Sequence, residues 1–151
     1  MHLLTLFFLN ENYGWAATAN GVLRTIDGTN FTKVNLDDDK IPAIHFTDQQ
    51  HGALLTFKGQ IYKSADGGQS WQKFLKVNLG DPAYDIHFFD ENHGYVSGQT
   101  GVIKIDGNDT TRVVNVKIPN EGVTELFFTD KDHGWAGTYK TGGLFKYVAP
   151  Q

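Results

Sequence analysis

An all-β fold, a β-propeller built of four repeats of about 40 residues, is predicted for this chain of 151 residues by three features. One motif recurs four times at near-constant spacing. Short runs alternate apolar with polar side chains at the period of a strand, and no stretch carries a helical period of useful length. Glycine and phenylalanine are abundant, at 17 and 11 residues, as in chains with many turns and aromatic strands.

The recurring motif reads LTLFFLNENYGW (4–15), AIHFTDQQHGA (43–53), DIHFFDENHGY (85–95) and ELFFTDKDHGW (125–135). Its glycines, Gly14, Gly52, Gly94 and Gly134, lie 38, 42 and 40 residues apart. A period of that length marks a repeat architecture. Phe8, Phe46, Phe88 and Phe128 place a first strand in each unit, closed by Asn/Asp-x-x-His/Tyr-Gly. In that turn the acid or amide side chain accepts backbone N–H groups, and the glycine is expected to supply positive φ.

Second strands follow from the same glycines (GWAATA, GALLTF, GYVSGQ, GWAGTY), and third strands are VLRTI, IYKSA, VIKI and LFKYV. Fourth strands are expected as FTKVNL from Phe31, WQKFLKVN from Trp71 and TRVVNVKI from Thr111. Four antiparallel strands per 40 residues is the pattern of a propeller blade. The blades fall at about 3–36, 41–79, 83–118 and 123–148 of one domain, the last with three strands.

Composition excludes several classes. A formal charge of −4 offers no basic field for a polyanion, so nucleic acid is not an expected partner. With no cysteine there is no disulfide framework, thiolate metal site or cysteine nucleophile. The opening MHLLTLFFLN lacks a basic start and a small-residue cleavage site, and it recurs later as an ordinary strand. No run approaches the roughly 18 apolar residues of a membrane span. A soluble chain without membrane insertion is expected, its compartment left open, with any export signal either absent or already removed.

The stretch SADGGQSW (64–71) resembles the Asp-box, Ser/Thr-x-Asp-x-Gly-x-Ser/Thr-Trp, and the FxDxxHGW-type turns resemble the repeats of the photosystem II stability and assembly factor propellers. The resemblance covers nearly the whole chain. It implies that the box occupies the turn between third and fourth strands, with Ser64, Asp66, Gly68 and Trp71 serving architecture. The first box, TIDGTNF, keeps Thr25, Asp27 and Gly28 but is one residue short and has Phe31 in place of the tryptophan. The third, KIDGNDTT, keeps Asp106 and Gly107. Such decay suits a local fastener better than a catalytic element. Asp-boxes also occur in sialidases and sortilin-like receptors, so the motif names blade architecture and leaves function open.

The strongest candidates for a ligand contact are Asp85 and Glu125, placed near the start of innermost strands that line a propeller channel. His45 and His87 share a position with Phe7 and Phe127 and join them as candidates, with a packed imidazole as the alternative. His51, His93 and His133 recur with Tyr13 at one repeat position, which points to packing or turn bonding and away from metal. Asp37–Asp39 reads as a solvated loop, and no metal or cofactor is expected. Trp15, Tyr95 and Trp135 share one position, with Ala53 as the exception, and are expected to fill the spaces between blades. Two arginines, Arg24 and Arg112, cannot form the three-arginine carboxylate clamp of a sialidase. Three serines, none in a nucleophile-elbow sequence, give serine hydrolysis no support.

The expectation is therefore a non-enzymatic propeller that binds a protein partner in its assembly or stabilisation. Alternatives are a carbohydrate-binding or glycosidase-like fragment and a self-assembling half-propeller without a ligand. The ring closes within one chain, belongs to a longer propeller, or is completed by a second copy, the homodimer being preferred because strand edges and blade faces seek cover.

Overall fold

The computed structural model describes residues 3–36, 40–113 and 122–149. It is a β-propeller arc of four antiparallel sheets, each a meander in sequence order. Blade 1 holds β1 (Leu3–Phe8), β2 (Gly14–Thr18), β3 (Gly21–Thr25) and β4 (Thr32–Asn35). Blade 2 holds β5 (Ala43–Phe46), β6 (Gly52–Leu55), β7 (Gln60–Ser64) and β8 (Gln72–Lys76). Blade 3 holds β9 (Ala83–Phe88), β10 (His93–Gly98), β11 (Gly101–Asp106) and β12 (Asp109–Arg112). Blade 4 holds β13 (Val123–Asp130), β14 (His133–Thr138) and β15 (Leu144–Val148), three strands among the described residues. No helix occurs among those residues, and so none is long and apolar enough to cross a membrane.

One strand lies earlier than the sequence suggests. The outer strand of blade 3 starts at Asp109, not Thr111, because the decayed third box leaves only Gly107 and Asn108 between paired Asp106 and Asp109. Gly107 takes φ 61° at the first position of this two-residue turn, where a hairpin demands a positive value. The remainder of the expected strand, from residue 114, lies outside the described residues.

The core is divided among the seams between blades. Trp15, Ala17 and Val22 of blade 1 pack on Ile41, Ile44, Phe46 and Leu54 of blade 2. Leu55 and Ile61 of blade 2 meet Ile86, Phe88, Val96 and Ile105 of blade 3. Tyr95 and Val102 of blade 3 meet Leu126, Phe128 and Tyr147 of blade 4. A sheet with two apolar faces must cover both, and sequential stacking does so for blades 2 and 3. The innermost strands follow the same order, β1 packing on β5, β5 on β9 and β9 on β13.

The motif glycines are required for room, which corrects the expectation of positive φ: Gly14, Gly52, Gly94 and Gly134 are not in the left-handed region. Each is the direct cross-strand partner of the motif phenylalanine, as in Phe46↔Gly52 and Phe128↔Gly134. The phenyl ring lies across the glycine, and a Cβ at Gly52 would stand 2.5 Å from the Phe46 ring. Gly52→Ala is expected to push Phe46 out of its seam and destabilise the chain by about 1–3 kcal/mol, read as a lower urea midpoint.

Candidate functional site

The four residues singled out along the inner strands occupy two different environments. Asp85, half-buried on β9, accepts hydrogen bonds from the backbone N–H of Ile86 at 2.8 Å and of Leu126 at 2.6 Å. Its carboxylate therefore bridges blades 3 and 4. Burial raises its pKa to about 7, against the two N–H bonds, which favour the ionised form. Glu125 is exposed on the neighbouring strand.

His45 and His87 stand side by side, ring centroids 4.4 Å apart, with Phe7 at 4.8 Å from His45 and Phe128 at 5.4 Å from His87. The N–H of Phe88 donates to His45 Nδ1 at 3.4 Å. Burial, and then the neighbouring His87, lowers the His45 pKa to about 3; burial also lowers that of His87. The two imidazoles are neutral parts of a ring-on-ring row that crosses blades 1 to 4.

The turn residues are spent on turns. The Asp66 carboxylate accepts the N–H of Gln69 at 3.0 Å and of Ser70 at 2.9 Å, and the hydroxyls of Ser64 at 2.8 Å and Ser70 at 2.6 Å. Burial opposes its ionisation, but these hydrogen bonds outweigh it and hold the pKa down at about 2. Ser64 Oγ accepts the N–H of Gly68, and Trp71 sets its ring edge-on to Phe46 at 5.8 Å. In the shorter first box Asp27 repeats the pattern, accepting the N–H groups of Thr29 and Asn30 and the Thr25 hydroxyl. Asp106, in the decayed third box, instead pairs with His93 Nε2 at 3.3 Å. The inner hairpins are fastened the same way in blades 2 to 4: Asp48, Asp90 and Asp130 bind the Nδ1 of His51, His93 and His133 at 2.7–2.8 Å. In blade 1 Asn10 Oδ1 accepts the N–H groups of Asn12 and Tyr13. The described residues hold no cluster of three or more His, Asp or Glu arranged for a metal; Asp37–Asp39 and His2 lie outside them.

Two kinds of surface remain uncommitted. The first is the pair of blade faces at the ends of the arc. Leu6 is 59% and Phe8 44% exposed, whereas their counterparts Ile44, Ile86 and Leu126, and Phe46, Phe88 and Phe128, are at most 8% exposed in seams. At the other end Leu144 is 74% exposed, against 0–4% for its counterparts Val22, Ile61 and Val102, and Phe127 and Val148 beside it are also exposed. The second is a cavity of about 350 Å³ in the seam of blades 2 and 3, lined by Ala53, Lys63, Phe74, Phe88, Asp90 and Glu91 among others. His45, one of the sequence-based ligand candidates, also lines it, as do Ser64 and Asp66 of the Asp-box, whereas the six residues just named are not candidates. Ala53 carried the one readable signal, a small residue at a position otherwise held by Trp or Tyr.

Over 61 residues, 40% of this chain and 14% of the other, the sequence is 34% identical to the chloroplastic photosystem II stability/assembly factor HCF136 of Cyanidioschyzon merolae. The chain resembles the photosystem II assembly factor propellers. It spans about 14% of the length of that curated relative. No family model matches. In fold, YCF48 from Cyanidioschyzon merolae superposes with a TM-score of 0.74 at 16% identity, over 98% of this chain and 51% of that one. The computationally designed Ika4 protein gives 0.71 at 16% identity over 98% and 92%. Virginiamycin B lyase of Staphylococcus aureus gives 0.71 at 14% identity over 99% and 56%. An assembly factor, a designed protein and a lyase share this architecture, so fold alone names no activity.

A sugar platform of Trp15, Trp135, Asp85 and Glu125 is not assembled, since Trp15 is buried in a seam and Asp85 holds backbone N–H groups. The buried titratable groups set opposite pH slopes. Between about pH 4 and 7 the folded chain keeps a proton on Asp85 that the unfolded chain has released, so stability falls by roughly 2–4 kcal/mol as pH rises through this window. His45 behaves in reverse: the unfolded chain protonates near pH 6.5 and the folded chain only near 3, so stability is lost as pH falls across that interval. Urea midpoints measured from pH 3.5 to 8 are expected to lose the first slope in Asp85→Asn and the second in His45→Phe, the residue type that blade 1 carries at Phe7.

Proposed function

We infer that this chain is a non-enzymatic propeller module that binds protein. Two copies close one ring of eight blades, and that ring presents a rigid face for the assembly or stabilisation of a further protein partner. The observation that carries this reading is the exposure of the two end faces. Large contiguous apolar faces on a folded chain mark protein interaction surfaces.

The two faces are halves of one recurring seam. Each internal seam between blades 1 and 2, and between blades 3 and 4, sets an aromatic residue of the leading blade on a phenylalanine of the following blade: Trp15 on Phe46, with centroids 3.5 Å apart, and Tyr95 on Phe128 at 4.4 Å. Blade 4 offers Trp135, half-buried beside Phe127, and blade 1 offers Phe8, so a second copy supplies each missing half. Under twofold symmetry both new seams form at once and no apolar face is left uncovered. Eight blades lie within the ordinary range for propellers.

A non-enzymatic role is supported by what the polar side chains already do. Asp85 bridges blades, the imidazoles of His45 and His87 pack on rings, and the box and hairpin acids hold turns. A partner in assembly is suggested by the sequence similarity to an assembly factor. Carbohydrate binding finds no support in the positions of Trp15 and Asp85.

Light scattering across a concentration series tests the ring. The expected mass is about twice 16.8 kDa, falling to the single-chain value in Phe8→Glu, which changes a side chain exposed in one copy and covered in the ring. A mass that stays at one chain at every concentration overturns the two-copy ring.

A further inference from the structure

One seam lacks its aromatic. Trp15, Tyr95 and Trp135 occupy the same repeat position, and blade 2 has Ala53 there. In the seam of blades 1 and 2 the Trp15 indole lies flat on Phe46 with an interplanar angle of 6°, and its Nε1–H donates to the carbonyl of Gly67 at 2.8 Å. In the seam of blades 3 and 4 the Tyr95 ring lies on Phe128 at 14°, and its hydroxyl reaches Tyr147 Oη at 3.2 Å. Each occupant thus combines a ring face with a polar edge that finds a partner in the next blade.

In the seam of blades 2 and 3, Phe88 stands where Phe46 and Phe128 stand, but no ring of blade 2 lies on it. The space is the cavity of about 350 Å³ that reaches Gly52 and Ala53. Lys63, directly cross-strand from Ala53, leans into it. Its ammonium lies 3.6 Å from the centre of the Phe74 ring and 5.3 Å from that of Phe88, and it donates to the carbonyl of Glu91. Burial lowers the pKa of this amine. Lysine is a flexible cover, a four-carbon stem with rotatable bonds, and a cation beside two ring faces is placed equally well beside a third. Asp66, Asp90 and Glu91 line the same cavity; the first two hold their turns and the Glu91 carboxylate pairs with His51 Nε2 at 3.0 Å, so the rim of the cavity is acidic.

We propose that the seam of blades 2 and 3 is a socket for a tryptophan side chain carried by a partner peptide. The indole takes the position that the missing blade-2 aromatic would fill, stacked on Phe88 with Lys63 moved aside over its face. The volume lies at the small end of ligand pockets, roughly 300–1,000 Å³, and a dry cavity of about 150 Å³ already admits benzene. The source of the indole rests on the protein-binding reading above, while the socket lies wholly within one chain and needs no second copy.

The test is a titration of the isotope-labelled chain with N-acetyl-tryptophanamide, followed by amide NMR, with N-acetyl-leucinamide as the aliphatic control. Saturable shifts confined to Gly52, Ala53, Lys63, Phe88 and Glu91, with a dissociation constant of about 1 mM or below, are expected for the indole probe, and at least tenfold weaker binding for the control. Ala53→Trp fills the socket from within and is expected to abolish the shifts. No saturable shift in the unaltered chain, or equal affinity for both probes, overturns the socket, and that comparison stands even if Ala53→Trp does not fold. Failure here leaves the two-copy mass untouched, so the socket and the ring are judged separately.

Discussion

Ring stacking across a seam is the interaction on which the other features depend. A four-stranded antiparallel sheet of this size cannot cover either of its apolar faces alone, and here each face within the arc is covered by the adjacent blade in sequence. Trp15 on Phe46 and Tyr95 on Phe128 are the centres of two such contacts, surrounded by Val22, Ile44, Leu54 and their counterparts. The stack needs the phenylalanine to lie flat, and it can lie flat only because its cross-strand partner has no side chain. The His/Tyr-Gly motif is therefore a packing device, and the hairpin acid beside it fixes the turn that brings strand and glycine into register.

That economy explains why a chain containing six histidines and seventeen acids has few polar groups left for chemistry. Hydrogen bonds to a carboxylate are strongest where backbone N–H groups converge on it, and blade turns provide such convergence in every repeat. Asp27, Asp66, Asp48, Asp90 and Asp130 are all used in this way. Asp85 does the same between blades. Variation among repeats is consequently more informative than the repeated residues themselves. Three copies of a histidine in one hairpin position describe a hairpin, whereas one alanine among aromatics describes a place where something is missing.

Both uncommitted surfaces follow from interrupting the same contact. At the ends of the arc the interruption leaves whole blade faces bare, with Leu6 and Phe8 on one and Phe127 and Leu144 on the other. Within the arc it leaves a seam of ordinary backbone geometry with one ring removed, and Lys63 bridges the gap by reaching the Glu91 carbonyl. The first asks for another blade; the second asks for another ring.

The sequence by itself determined the strand order and the blade count, because repeat spacing, period-two alternation and turn chemistry are all local properties. It did not reveal why the motif glycines are glycines, since the ring that crosses Gly52 belongs to the partner strand and only pairing register brings it there. Nor did it distinguish the fates of Asp85 and Glu125, two acids at one repeat position. The reach of Asp85 to the N–H of Leu126, forty-one residues on, is set by how blade 3 meets blade 4. Phe8 and Phe46 are likewise equivalent in every local respect, yet one is half exposed and the other buried. That difference was decided by the tertiary structure alone, because burial in a propeller is conferred by the neighbouring blade and not by the strand that carries the residue.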